Sequence, residues 1–258
     1  LSKTSKQPRI QSITRAIDIL RCFSETKELG LTEISRLVGL HKSTAAGIIN
    51  TLKAENFLEQ DRETGKLRLG VELFFLAMNA RPALEYISEV HLQKLLKETR
   101  ETINLAVRDG NEMVYIAKKE SPHSMRISTK VGKYLPMYCT AIGKVFLAHL
   151  NPKEAEQIIE TINFEPFTDK TIVKREQLIA SIEHIRKEGI AYDFEELEYG
   201  LVCVAAPIFG KNGEPVGAIS VSGPSIRMDD ATRAEIVPKV FAAASRINED
   251  LSRIEITK

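Results

Sequence analysis

Cysteine is scarce in this sequence. Cys22, Cys139 and Cys203 stand far apart and no CxxC pair occurs. This excludes a disulfide framework and a cysteine-based metal site, and it fits a reducing cytosol. Long apolar runs are also missing, so no stretch is suited to crossing a bilayer. The opening residues, LSKTSKQPRI, are polar and basic without an apolar core. No secretory signal is expected there, and the expected location is cytoplasmic. The common catalytic signatures are absent too: no P-loop, no GxGxxG after a strand, no HExxH and no GxSxG. The five histidines are isolated from one another. No catalytic residue, metal site or cofactor is therefore expected, and the chain is not expected to be an enzyme.

What is present is an ordinary globular composition, 43% apolar and 28% charged over 258 residues, enough for two domains. The net charge of +1 hides an asymmetry: residues 1–70 carry 12 Lys+Arg against 8 Asp+Glu, and the remainder 24 against 27. A basic front and an acidic back suit a DNA module joined to a domain with another task.

The stretch from Leu31 to Leu69 reads as two short helices, a Gly39 turn and a hairpin, the pattern of a winged helix-turn-helix. A preceding helix is expected over Gln11 to Glu25, capped by Ser12, with Ile13, Ala16, Ile17 and Leu20 as its apolar stripe. The next helix is expected to start at Thr32 and to bury Ile34, Leu37 and Val38. The recognition helix is expected over Lys42 to Asn56, with Ala45, Ile48, Ile49 and Leu52 inward. Its outward face carries Ser43, Ala46, Gly47, Asn50 and Thr51. Asn50 suits a bidentate contact to adenine, Ala46 a thymine methyl, and Ser43 and Thr44 phosphates or base edges, with Lys42 at the helix start. Gly47 weakens a helix by roughly 1 kcal/mol relative to Ala, so close approach of backbone to DNA or to a partner helix is one reason for it. The wing carries Arg62, Lys66 and Arg68 for phosphates, and Lys3, Lys6 and Arg9 form a basic arm.

Residues 1–70 thus make the DNA-binding domain, 71–82 a linker helix ended by Pro82, and 83–258 a second domain. In the second domain a helix is expected over Ala83 to Thr99. Strands follow over Ile103 to Val107, Met113 to Ala117 and Met125 to Ser128. Helices are expected over Thr140 to Leu150, Lys153 to Thr161 and Ile172 to Glu188. Three more strands, Ile190 to Phe194, Leu201 to Phe209 and Val216 to Ser222, precede a closing helix from Asp229. Asn212-Gly213 marks a hairpin. Sequential antiparallel strands with segregated helices predict an α+β domain.

Three segments of the second domain offer binding chemistry. Thr140 and Ala141 open a helix whose N–H groups can cradle an anion. Asp193 and Cys203 lie on neighbouring strands, and Ser220 and Ser222 share one strand face. The set suits a small polar ligand bearing a carboxylate. Two other readings remain open: an enzyme using Cys203 or the acidic cluster around Asp193, or a DNA-binding protein without a ligand.

The stretches QSITRAIDIL, LTEISRLVGLHKSTA, the wing, YCTAIGKVFLA, IRKEGIAYDFEELEYGLVCVAAPI and AISVSGP together resemble the IclR family of transcriptional regulators, in family order over nearly the whole chain. The resemblance implies a winged helix-turn-helix that dimerises on a palindromic operator and a GAF-like (profilin-like) effector domain. It further implies dimers or tetramers. Regulation would be as a repressor or an activator, with repression the expectation, through a small organic acid held by Thr140, Ala141, Asp193, Cys203, Ser220 and Ser222. The sequence departs from the family at Ala46-Gly47, where a larger residue and Arg are usual. It departs again at Asn56-Phe57, where Gly precedes the aromatic residue.

Overall fold

In the computed structural model, residues 10–24, 26–80 and 83–254 are described. The basic arm, Glu25 and the Arg81-Pro82 boundary lie outside them. The chain divides into two units, Leu1–Arg81 and Pro82–Lys258.

The first unit contains α1 (Gln11–Arg21), α2 (Leu31–Leu37), α3 (Lys42–Ala54), the hairpin β1 (Leu58–Gln60) and β2 (Leu67–Leu69), and α4 (Val71–Ala80). Its core is Ile19, Phe23, Leu29, Ile34, Ala45, Ile49, Leu58 and Leu67. Leu29 exchanges backbone hydrogen bonds with Leu67, which fixes the start of α2 to the wing.

Several local expectations need correction. Ser12 does not cap α1; Ile10 occupies the cap position without a side-chain bond. Ile13 and Ile17 are exposed, and Ile19 is the fully buried residue of α1. The helix has two apolar stripes, and periodicity alone cannot choose between them. Thr32 is not the cap of α2 either. The helix starts one residue earlier, and the Gly30 N–H donates to the Glu33 carboxylate at 2.7 Å. Leu37 is exposed. The recognition helix ends at Ala54, because Asn56 turns left-handed at φ 57°. Gly70 fits against this turn: a Cβ there would lie 2.0 Å from the Asn56 carbonyl oxygen.

The second unit contains α5 (Ala83–Thr99), β3 (Thr102–Asp109), β4 (Glu112–Lys119), β5 (Tyr134–Pro136), α6 (Ala141–His149), α7 (Pro152–Thr161), α8 (Arg175–Glu188), β6 (Ala191–Phe194), β7 (Leu201–Phe209), β8 (Pro215–Pro224) and α9 (Asp230–Ile254). One antiparallel sheet runs in the order β5-β4-β3-β8-β7-β6. This is the expected α+β architecture. Helices α5 and α9 cover one face, over Leu105, Val204, Ile219 and Val221. The opposite face, with Ala106, Cys203, Ala205 and Ala218, packs beneath α6, α7 and α8. Gly213, at φ 74°, makes the expected β7–β8 turn.

Met125 to Ser128 is not a strand. That segment has no ladder, and its carbonyls are taken by side chains: Met125 O by Arg227 and Ile127 O by Thr102. The strand lies later, at β5. The helix predicted from Ile172 begins at Arg175. Along β3 and β4 the register shifts, so that Leu105 faces Ala117 while Ala106 faces Tyr115. Ile116 is the extra residue of a β-bulge. It places Tyr115 and Ala117 in opposite cores although they are two residues apart.

Candidate DNA-reading face and effector site

The two candidate sites lie one in each unit. In the first, Ala45 and Ile49 are buried and anchor α3, leaving Lys42, Ser43, Thr44, Gly47, Asn50 and Thr51 exposed and Ala46 half-buried. His41 occupies the cap position, its Nδ1 2.8 Å from Ser43 Oγ. The Thr51 hydroxyl donates to the Gly47 carbonyl at 3.2 Å. A Cβ added at Gly47 would meet nothing within 4 Å, so no packing in this unit demands glycine there.

The wing is braced to the helix. Lys53 Nζ donates to Gln60 Oε1 at 2.6 Å, and Gln60 Nε2 donates to the Gly65 carbonyl at 2.8 Å. Asp61 Oδ1 accepts from the N–H groups of Thr64 and Glu63 and from the Thr64 hydroxyl. These bonds, those of Thr64 foremost, hold its carboxyl below the usual range. Arg62 and Lys66 are exposed. Arg68 is paired with Glu59 across the strands at 2.5 Å. Its charge is offset locally, which sequence inspection did not reveal.

In the second unit, Thr140, Ala141, Asp193, Cys203, Ser220 and Ser222 are each at most 8% exposed. The register explains how they meet. Asp193 pairs with Cys203, Cys203 with Ser222, and Ala205 with Ser220, all beneath α6. Thr140 caps α6: its hydroxyl accepts from Gly143 N–H at 3.1 Å and donates to the Pro136 carbonyl at 2.8 Å. One first-turn donor is thus satisfied, and the rest of the turn keeps the positive end of the helix dipole. Gly143 is required here, since a Cβ would lie 2.3 Å from Met137 Cα.

A hydrogen-bonded chain crosses the sheet at this place. Thr129 Oγ1 donates to Asn104 Oδ1 at 2.6 Å, and Asn104 Nδ2 donates to Ser222 Oγ at 3.2 Å. Cys203 Sγ donates to the same Ser222 oxygen at 3.1 Å. The segment 120–133 lies over this face through Ile127, which packs on the same core, and through Thr129. Asp193 accepts from Glu196 N–H at 2.7 Å, yet burial pushes its carboxyl up to about 7. Lys144 and Glu196 form a buried ion pair. Glu196 Oε2 is buried with no hydrogen-bond partner among the described residues, and burial raises this carboxyl too.

The thiols are neutral. Burial lifts Cys139 to about 12, and burial together with the nearby Asp193 lifts Cys203 well above its ordinary value. A thiol in that state is a poor nucleophile. Burial also raises Tyr115, with Cys203 and Asp193 nearby. Sequence inspection missed Asn104, Tyr115, Thr129 and the Lys144–Glu196 pair. Asn104 had a signal, a polar residue amid the apolar run INLAV. Tyr115 shares the face of Met113 by alternation, but nothing in the sequence marked that face as lying near Asp193 and Cys203.

Comparison with known proteins agrees with both halves of this description. Residues 12–62 match the IclR helix-turn-helix domain and residues 80–249 match the bacterial transcriptional regulator IclR C-terminal domain. The chain is 33% identical to the HTH-type transcriptional regulator KdgR of Escherichia coli (strain K12) over 95% of each protein. It is 32% identical to the transcriptional repressor IclR of the same strain, covering 93% of this chain and 89% of the relative. An IclR homologue of Microbacterium hydrocarbonoxydans, crystallised in complex with 4-hydroxybenzoate, shares the fold with a TM-score of 0.82. It is 23% identical and covers 93% of this chain and 98% of its own.

Proposed function

The chain belongs to the IclR family of bacterial transcriptional regulators, and from that premise we propose that it is a cytoplasmic repressor whose operator binding is set by a small organic acid. The observation that carries the reading is the buried polar centre beneath α6. A helix N-terminus, a serine-asparagine chain and a protonatable carboxyl converge in an apolar surround, the composition of a small-molecule site. The carboxylate of the effector sits at the start of α6, near Thr140 and Ala141, where the dipole favours an anion. Ser220, Ser222 and Cys203 face its polar substituents. That the Microbacterium hydrocarbonoxydans homologue holds an aromatic carboxylate supports the class of ligand by analogy of fold.

The chain acts as a homodimer or homotetramer. Supporting this, α1 exposes Ile13 and Ile17 beside Ile10, and α4 exposes Val71, Phe74 and Leu76. Apolar residues on this scale mark an association surface. Two copies then present two recognition helices to a palindromic operator. The effector binds one subunit arrangement more tightly than another and so shifts the population between them. No catalytic role is assigned to Cys203 or Asp193; the neutral thiol and the absence of a paired base support this.

The test is operator binding by the full chain, measured with and without a panel of small keto, hydroxy and aromatic acids. At least one acid should change operator affinity by about fivefold or more, and Ser222→Ala should blunt the response while leaving effector-free binding intact. An acid that binds the protein and leaves operator affinity unchanged refutes the regulatory part.

A further inference from the structure

The outward face of α3 is bare of long side chains. No Lys or Arg lies between Ser43 and Leu52. Of the two flanking lysines, Lys53 is committed to Gln60, and Lys42 stands at the first residue of the helix, about 140° around it from Gly47. Guanine is read mainly by bidentate Arg or Lys, so this face lacks the usual guanine reader. Its hydroxyls are also largely engaged: Ser43 with His41 and Thr51 with the Gly47 carbonyl. What remains to present to a base is the exposed Asn50 amide, together with the methyl groups of Thr44, Ala46 and Thr51.

Such short groups touch base edges only when the helix axis comes close to the groove floor. Gly47 stands at the middle of this face, three residues from Thr44 and Asn50 and four from Ser43 and Thr51. It carries no side chain, and the space a Cβ would take is open. The one position where a side chain would hold the helix off the DNA is empty of one.

Resting on the reading of α3 as the DNA-contacting helix, we infer that it recognises an A·T core in each operator half-site at close range. Asn50 reads an adenine through its N6 and N7 edge. The methyl groups of Thr44, Ala46 and Thr51 pack against thymine methyls, and Gly47 permits the approach. Arg62 and Lys66 of the wing add phosphate contacts that do not select sequence.

The experiment is selection of the full chain, without added acids, on a random duplex library, followed by binding to the enriched duplex. The enriched half-sites should carry A·T pairs at their centre. Replacing each central dT by dU removes only the methyl group, and should weaken binding about fourfold per methyl contact. Asn50→Ala should lower the preference for adenine at one position about fivefold or more. G·C pairs at the centre, or dU duplexes bound as tightly as dT duplexes, overturn the inference. Failure to retain any duplex is a different result: it overturns the DNA-reading role of α3 itself.

Discussion

Asn56 holds a left-handed conformation at φ 57°, pressed against Gly70 at the entry to the wing. Where the family carries glycine, this chain carries the residue that best tolerates the same backbone. Asn56→Ala should therefore cost about 1 kcal/mol in the unfolding of the first unit, and Asn56→Gly should retain or raise stability; denaturant midpoints read both. Gly47 behaves oppositely. Gly47→Ala should add about 1 kcal/mol to helix stability, because nothing in the unit blocks the methyl. The same change should weaken operator binding, and unchanged affinity would refute close approach. Asp193 has a pH consequence. Its folded-state value of about 7 lies above that of an unfolded aspartate, so the folded state holds the proton more tightly. Its contribution is present below pH about 4 and is lost as pH rises through about 7. Asp193→Asn should remove that slope and raise Tm above pH 7. A carboxylate effector should likewise bind less tightly as Asp193 ionises. That Ser220 and Ser222 share a strand face was readable from two-residue alternation, whereas Asp193 and Cys203 were reached through the family resemblance. Ala117 could not be placed this way, because one inserted residue, Ile116, reverses the face after Tyr115.

Among the elements, helices with strong caps and hairpins with glycine turns were the most legible. The segment 120–133 was not. Alternation at Met125 and Ile127 resembles a strand, but the carbonyls of this segment are claimed by side chains from elsewhere in the chain. Arg227 bonds Met125 O while its guanidinium is paired with Glu101, and Lys118 donates to Thr129 O. Such contacts have no local sequence signature. They hold the segment against the polar centre, where Ile127 packs on the core and Thr129 donates to Asn104. Thr129→Val keeps the shape of the side chain and removes that bond. It should speed the association of an effector in stopped-flow measurements, with little change in Tm; an unchanged association rate would show that the segment does not limit entry.

For the whole molecule, the division into Leu1–Arg81 and Pro82–Lys258 gives each unit its own buried core. Calorimetry should resolve two transitions. An effector at saturating concentration should raise only the one that belongs to the second unit, by an amount set by its affinity. A single transition that shifts as a whole would show the two units to be coupled in stability. Charge substitution on the exposed apolar stripes, as in Ile13→Glu with Phe74→Glu, should reduce the sedimenting mass of the free protein. Charge asymmetry and Pro82 suggested a domain over 1–70, a linker over 71–82 and a second domain from 83, whereas the two units meet between Arg81 and Pro82 with α4 inside the first. The exposed stripe of α1 is not legible, because Ile13 and Ile17 have the same helical spacing as a core stripe.

The brace from Lys53 through Gln60 to Gly65 joins the recognition helix and the wing into one stiff piece. A fork with rigid tines can change its grip only by moving as a whole. Mutations that alter which bases are read can therefore accumulate on the outward face of α3 without touching the second unit. If the proposed effector site is right, changes around α6 would in turn retarget the chemical signal without disturbing the reading of DNA. A lineage built this way can exchange its stimulus and its target genes one at a time.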